Sequence, residues 1–163
     1  MLEQTLVLLK PDAVQRAFIG EIITKFEKAG LKIAAMKLIH ATEELAKSHY
    51  TEDLAKRRGE HVRTYNINFI TEGPIVAIVL EGIQAIEIVR KIVGPTEPKA
   101  APPGTIRGDY AHVSYAHADE KKTVVRNLIH ASSDKNDAEN EIKVWFKPNE
   151  IFKYKTVHEM HLQ

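Results

Sequence analysis

Ile75-Val76-Ala77-Ile78-Val79-Leu80 is apolar at every position. A strand with one wet face alternates, so an unbroken run reads as a β-strand covered on both faces. Gly73-Pro74 before it and Glu81-Gly82 after it bound it as a short central strand, with a helix beginning after the Glu81-Gly82 turn. A second run of this kind, Gln4-Thr5-Leu6-Val7-Leu8-Leu9, ends at Lys10-Pro11-Asp12. Pro11 has no amide to give the ladder, so Lys10 is read as the last strand residue, at the sheet's end. A lysine in that place is either a solvated tip or an anion ligand.

Working outward, Ile19, Ile22, Ile23 and Phe26 recur at helical spacing and Gly30 closes that helix. Residues 31–39 alternate loosely and read as a strand. Thr42-Glu43-Glu44 opens a helix that carries His49 and Tyr50, with a capping hydroxyl and acids in its first turn. Residues 53–60 are charged and include Gly59, and read as a break. Val62, Tyr65, Phe69 and Ile70 form the next helical stripe. Beyond the central strand, Ile86, Val89 and Val93 define the inner side of a helix that also bears Arg90 and stops at Gly94-Pro95.

Residues 96–108 are dense in proline and glycine and carry Thr96 and Arg107. Loops of that length in compact domains are usually functional. After a polar stretch, residues 124–129 read as a strand, with Leu128-Ile129 buried and His130 at its carboxyl end. Ser132 and Ser133 lead into a helix beginning near Ser133-Asp134, whose inner face is Ala138, Ile142 and Trp145. Glu141 falls inside that stripe. A carboxylate there is costly unless paired or hydrogen-bonded; His130 can be its partner, or it reaches water at the boundary. Stripped of the helices inserted between the second and third strands, the order is βαββαβ. That order predicts an α+β, ferredoxin-like domain over residues 1–163, an antiparallel sheet with helices packed on one face.

Composition narrows the function. Hydrophobic residues make up 44%, and 23 basic against 22 acidic residues leave a net charge of +1. That balance offers no electrostatic case for a nucleic acid or a membrane surface as partner. No apolar run has the length of a membrane span, and Met1-Leu2-Glu3-Gln4 lacks the basic start of a signal peptide. The absence of cysteine excludes disulfides and thiolate metal sites and fits a cytoplasmic protein. His158 and His161 read as surface residues, and no cluster has zinc-ligand spacing.

The polar residues at strand ends and loops are Lys10, Arg90, Thr96, Arg107, Asn127 and His130. Arginines grip phosphate oxygens with paired donors and lysine adds a point charge, so this set suits a phosphorylated ligand. Gly104-Thr105-Ile106-Arg107-Gly108 does not have the spacing of a glycine-rich phosphate cradle, so the site must rest on side chains. The imidazole of His130 can serve as nucleophile, general base or metal ligand, or fill a polar niche.

Asn127-Leu128-Ile129-His130-Ala131-Ser132 resembles the signature of nucleoside diphosphate kinases. The resemblance extends to Leu9-Lys10-Pro11-Asp12-Ala13-Val14-Gln15-Arg16, Gly20-Glu21-Ile22-Ile23, Ser48-His49-Tyr50 and the run from Gly73-Pro74 to Glu81-Gly82. Pro103-Gly104-Thr105-Ile106-Arg107-Gly108-Asp109 and Glu141-Ile142 with Trp145-Phe146 complete it. These fragments keep the family's order over nearly the whole chain. They imply transfer of the terminal phosphate of a nucleoside triphosphate, typically ATP, to a nucleoside diphosphate by a ping-pong mechanism through a phosphohistidine at His130. Lys10 would contact the reacting phosphate and the ribose side, and Asn127 the sugar hydroxyl. Arg90, Thr96 and Arg107 would hold the phosphates with Mg2+, which no side chain binds directly. Tyr50 and Ser132 would support the site and Glu141 would steady His130. A homo-oligomer, commonly a hexamer, is implied as well.

Two departures stand out. Extra residues after Tyr50 bring the family's base-stacking position to Val62, with Tyr65 as a stand-in or, by its periodicity, a core residue. A polar insertion around 110–124 reads as an exposed hairpin or arm, at a subunit contact or bordering the nucleotide cleft. The rival readings are a phosphohistidine carrier, a non-catalytic ferredoxin-like ligand-binding domain, and an RNA-binding module. The last is disfavoured by central strands without aromatic residues.

Overall fold

The computed structural model describes residues 1–162; the last residue of the 1–163 span lies outside them. Its sheet has four strands, β1 (Leu2–Leu9), β2 (Lys32–Ile39), β3 (Ile75–Ile83) and β4 (Ile129–Ala131), in the order β2-β3-β1-β4. Every neighbouring pair is antiparallel. Between β1 and β2 lie α1 (Pro11–Gln15) and α2 (Ile19–Lys28). Between β2 and β3 come α3 (Glu43–His49), α4 (Glu52–Arg58) and α5 (Glu60–Thr71). After β3 follow α6 (Ala85–Val93), α7 (Ile106–Tyr110) and α8 (Tyr115–Glu120), and after β4 α9 (Lys135–Trp145) and α10 (Glu159–Leu162). This is the ferredoxin-like α+β arrangement with inserted helices. Among the described residues no helix is long and apolar enough to cross a membrane.

The expectation of helices on one face is corrected. Alternate residues of β1 and β3 enter two separate cores. Val7, Leu9, Val76, Ile78 and Leu80 pack with Ile22 and Phe26 of α2 and Val89 and Val93 of α6. Leu6, Leu8, Ile75, Ala77 and Val79 pack with Ala46 of α3, Ile67 and Ile70 of α5 and Trp145 of α9. The inserted helices and α9 therefore close the second face, which is why the central strands carry no polar alternation. A Phe26→Ala truncation in such a core costs about 3–5 kcal/mol.

Other boundaries move for local reasons. β3 runs on through Glu81 and Gly82 to Ile83. The charged segment expected to be a break is α4, with no buried residue, acids in its first turn and Lys56, Arg57 and Arg58 in its last, a charge order that suits the helix dipole. The break is Gly59 alone, at φ 98°. The strand expected over 124–129 is only β4, because Leu128 turns to φ 69°. The loop 96–108 ends in α7. Gly108 is obligatory there, since a Cβ would collide with the Pro102 carbonyl. The insertion around 110–124 is no hairpin. It folds as α8, capped by Ser114, with Ala118 buried.

Beyond α9 the chain passes along the outer edge of β2. A bulge between Ile33 and Ala35 leaves the Ala34 carbonyl out of the ladder, and it accepts the Phe152 amide at 2.8 Å. The Tyr154 hydroxyl donates to the Ile33 carbonyl at 2.8 Å. Met36 and Leu38 on the same edge strand stay exposed.

Candidate active site

Register decides where the histidine points. His130 pairs with Leu8 of β1, so its side chain lies on the face covered by α3, α5 and α9, while Ile129 and Ala131 enter the opposite core. On that face Glu141 of α9 puts its carboxylate oxygens 3.0 and 2.9 Å from His130 Nε2. Burial pushes the Glu141 carboxyl up. The hydrogen bond and charge of His130, with the Ser132 hydroxyl donating at 2.6 Å, outweigh it and hold the group below the usual carboxylate range. An ionised carboxylate only accepts, so Nε2 carries a proton, and in the neutral ring the lone pair is then the one on Nδ1. Among the described residues no hydrogen bond reaches Nδ1, and the ring lines a cleft of about 890 Å3.

The approach to His130 is built from a tight turn. Leu128 sits at φ 69° between Asn127 and Ile129, and the Ile129 amide donates to the Asn127 carbonyl at 2.8 Å, closing a γ-turn. Such a conformation costs about 1–3 kcal/mol and persists only where its surroundings impose it. Here they do. The Leu128 amide donates to Asp12 Oδ2 at 3.1 Å, and its carbonyl accepts the Lys10 amide at 2.8 Å. Arg126, one residue before the turn, is clamped by both Glu72 oxygens at 2.6 and 3.0 Å. Lys10-Pro11-Asp12 thus ends β1 and also holds the turn that aims the histidine. Lys10 caps α1 rather than ending the strand, and β1 stops at Leu9.

The cations at the cleft floor are fixed. Lys10 is 6% exposed, and its Nζ donates to Asn127 Oδ1 at 2.8 Å. Burial, helped by the neighbouring Arg107 charge, lowers its pKa to about 8 despite Asp12. Asp12 is itself raised by burial although Lys10 pulls it down, so desolvation beats mutual attraction for both groups. Arg107 spends its guanidinium on three carbonyls: Gly94 at 2.8 Å, Ile129 at 2.5 Å and Asn127 at 3.3 Å. Burial and Arg90 lower it to about 10, still fully charged near neutrality. Asn127 also donates to the Thr96 carbonyl at 2.8 Å, so the loop after α6 is tied to the floor. Arg90 is exposed, and its guanidinium lies 3.5 Å from the Ala131 carbonyl, a marginal contact that leaves it free for a ligand.

The structure brings Lys10, Tyr50, Arg90, Thr96, Arg107, Asn127, His130 and Glu141 to one cleft. Ser132 stands behind it, fully buried; it accepts the Leu6 amide at 3.3 Å and meets the site only through Glu141. Tyr50 is buried enough that its hydroxyl is pushed well above the usual phenol range, and it stays protonated. Val62 and Tyr65 are half-buried cleft residues rather than core; Ile67, Phe69 and Ile70 are the buried side of α5. The core reading of Tyr65 is therefore corrected, because its stripe faces the cleft at one end and the sheet at the other.

Two contributors were not singled out from sequence. Asp12 enters the sequence reading only within the Lys10-Pro11-Asp12 strand end and the fragment from Leu9 to Arg16. His49 enters it on the helix opened by Thr42 and in the Ser48-His49-Tyr50 fragment, with no role attached, yet its ring stands edge-on to His130 with centroids 4.5 Å apart and accepts the Trp145 indole N–H at Nδ1 at 3.3 Å. Burial, then the neighbouring His130, lowers its pKa to about 3, so it is a neutral wall beside the His130 ring. His49, His130 and Glu141 offer ligand atoms within 4.8 Å of one another, two imidazoles and one carboxylate already bonded among themselves or to Trp145.

The family model described as nucleoside diphosphate kinase matches residues 3–151. A nucleoside diphosphate kinase of Borreliella burgdorferi is 46% identical over 156 residues, covering 95% of this chain and 93% of its own length. One from Pyrococcus furiosus is 49% identical over 152 residues, with 93% and 88% covered. A solved structure of the Borrelia burgdorferi enzyme, a transition-state mimic with bound vanadate and ADP, superposes with a TM-score of 0.97 at 45% identity, covering 99% of this chain and 96% of that one.

Proposed function

The chain belongs to the nucleoside diphosphate kinase family, and from that premise we propose that it moves the terminal phosphate of ATP or another nucleoside triphosphate to a nucleoside diphosphate through a phosphohistidine on His130. The observation that carries this reading is the His130–Glu141 pair. With Nε2–H held by an ionised carboxylate, the neutral ring presents its Nδ1 lone pair to the cleft.

In the first half-reaction Nδ1 bonds to the γ-phosphorus while the bond from that phosphorus to the β-phosphate oxygen breaks, and the diphosphate departs with the electron pair. The ring becomes a phospho-imidazolium whose Nε2 proton points at Glu141. In the second half an incoming diphosphate's oxygen attacks the same phosphorus and Nδ1 recovers its lone pair. Splitting the transfer this way is covalent catalysis with ping-pong kinetics. Lys10, Arg90 and Arg107 neutralise charge on the moving group, which is where phosphoryl transfer draws most of its acceleration. Thr96 and Asn127 bind phosphate and sugar, Tyr50 walls the pocket, and Ser132 positions Glu141.

Magnesium prefers six oxygen ligands, whereas the His49, His130 and Glu141 cluster offers mostly nitrogen. Magnesium would therefore be held through phosphates bound by Arg90, Thr96 and Arg107 rather than by a side-chain ligand set. When bound it neutralises phosphate charge. We also read the protein as a homo-oligomer, a hexamer by preference, a reading supported by the bare apolar edge of Met36 and Leu38 on β2; light scattering measures it.

The decisive experiment incubates the protein with magnesium and terminally labelled ATP. The expected result is an acid-labile, alkali-stable label that any nucleoside diphosphate removes and that His130→Ala never acquires. Failure to label overturns the reading, and a label that no diphosphate discharges points to a carrier.

A further inference from the structure

With the phosphates assigned to the cleft floor, the nucleoside must occupy the mouth, which the aliphatic Val62 lines. Two elements face each other there. One is α4, the charged helix that buries nothing. The other is α8, the helix formed by the insertion. Across the opening the Arg58 guanidinium carbon lies 6.0 Å from the centre of the Tyr115 ring.

The two sides are held differently. The Tyr115 amide donates to Glu97 Oε1 at 2.8 Å, and two residues earlier the Val113 carbonyl accepts the Lys99 amide at 3.1 Å. Tyr115 is thereby bolted to the loop whose Thr96 carbonyl holds Asn127, and so to the floor itself. Arg58 is exposed, the last residue of α4 before Gly59. A flat heteroaromatic ring lies about 3.5 Å from each surface it stacks on, so a base between guanidinium and phenol needs roughly 7 Å. The observed 6.0 Å is short of that by about 1 Å, a distance the exposed Arg58 side chain can yield by rotation about its own bonds.

Resting on the kinase reading, we infer that Arg58 and Tyr115 grip the nucleobase between them, Tyr115 as the fixed platform supplied by the inserted helix and Arg58 as the cover. Both groups recognise a flat π-face rather than a pattern of donors and acceptors. Stacking of that kind is tolerant of base identity, so the pair accepts purines and pyrimidines alike. Tyr65 is less suited, because His61 stands edge-on to its ring with centroids 6.0 Å apart and both belong to the same wall.

The test compares ATP with ribose 5′-triphosphate, which carries the same phosphates and sugar but no base, using label transfer to His130 as readout. In the unchanged protein kcat/KM favours ATP. In Tyr115→Ala the ratio of the two kcat/KM values falls about tenfold, the size of one lost stacking surface; Arg58→Ala lowers it in the same direction, and Tyr115→Phe, which keeps the ring, restores it. An unchanged ratio in Tyr115→Ala overturns the proposal. So does an equal loss on both triphosphates, which marks a structural role, or a collapse in Tyr65→Ala instead. None of these outcomes touches the kinase reading, which stands or falls on whether ATP labels His130 at all.

Discussion

At the floor of the cleft Lys10, Arg107 and Asn127 are 6%, 7% and 3% exposed, and each is tied to backbone or side chain from a distant part of the chain. At the mouth α4 buries no residue, and Arg58, Val62, Tyr65 and Tyr115 stand in water or half out of it. In the proposed reaction the floor handles the reacting phosphate, where a misplacement of about 1 Å costs on the order of a hundredfold in rate. Its geometry is therefore fixed before any ligand arrives, down to a strained residue at Leu128. In the proposed clamp the mouth takes a base whose identity makes no difference to the chemistry, and an exposed surface serves. Rigidity in this molecule follows the reacting atoms.

That contrast can be broken. Arg107→Ala removes a charge from the phosphates and leaves three carbonyls without their donor. We predict a loss of roughly 10^2–10^3 in kcat/KM and of about 3 kcal/mol in urea unfolding. A change confined to KM with stability intact would place Arg107 with the mouth rather than the floor. Glu141→Gln keeps the shape of the Nε2 acceptor but removes its charge. Steady-state kinetics should show kcat reduced roughly 10- to 100-fold, as for other partners that orient a reactive imidazole.

Lys10 gives the contrast a pH dependence. Its pKa is lowered to about 8 by burial, so in the free enzyme the ammonium is lost as pH rises through that value. kcat/KM should fall by about tenfold per pH unit above it. Stability moves the other way. The unfolded lysine binds its proton up to about 10.5, so between about 8 and 10.5 the unfolded chain holds more protons and unfolding becomes harder as pH rises. Activity and stability diverging over that window is the expected signature, and parallel decline would contradict it. The smallest effect belongs to the mouth: Val62→Phe enlarges the apolar wall beside the clamped base and should lower KM for ATP by about threefold, with kcat unmoved.

Much of the floor was readable in advance, because its parts are short fragments whose local chemistry is plain. Lys10 follows a buried strand and precedes a proline, His130 follows Leu128-Ile129, and Glu141 sits wrongly polar on an apolar stripe. Each signal spans a few residues. The mouth was poorly readable for the same reason inverted. Charged α4 has no apolar periodicity to mark it as a helix, and α8 is a six-residue helix held by a serine cap and by contacts to Glu97 and Lys99. Tyr65 was ambiguous because the helix bearing it faces the sheet on one side and the cleft on the other.

The sequence by itself determined which strands lie at the centre, which helices are amphipathic and which residue types gather for phosphate chemistry, since burial and propensity act over neighbouring positions. Only the tertiary structure decided that both sheet faces are covered, that Leu128 turns rather than extends, and that His130 offers Nδ1 and not Nε2. Those outcomes depend on Asp12, Glu72 and Glu141 reaching the segment around His130 from elsewhere in the chain, and a hydrogen bond between distant residues leaves no mark on local periodicity.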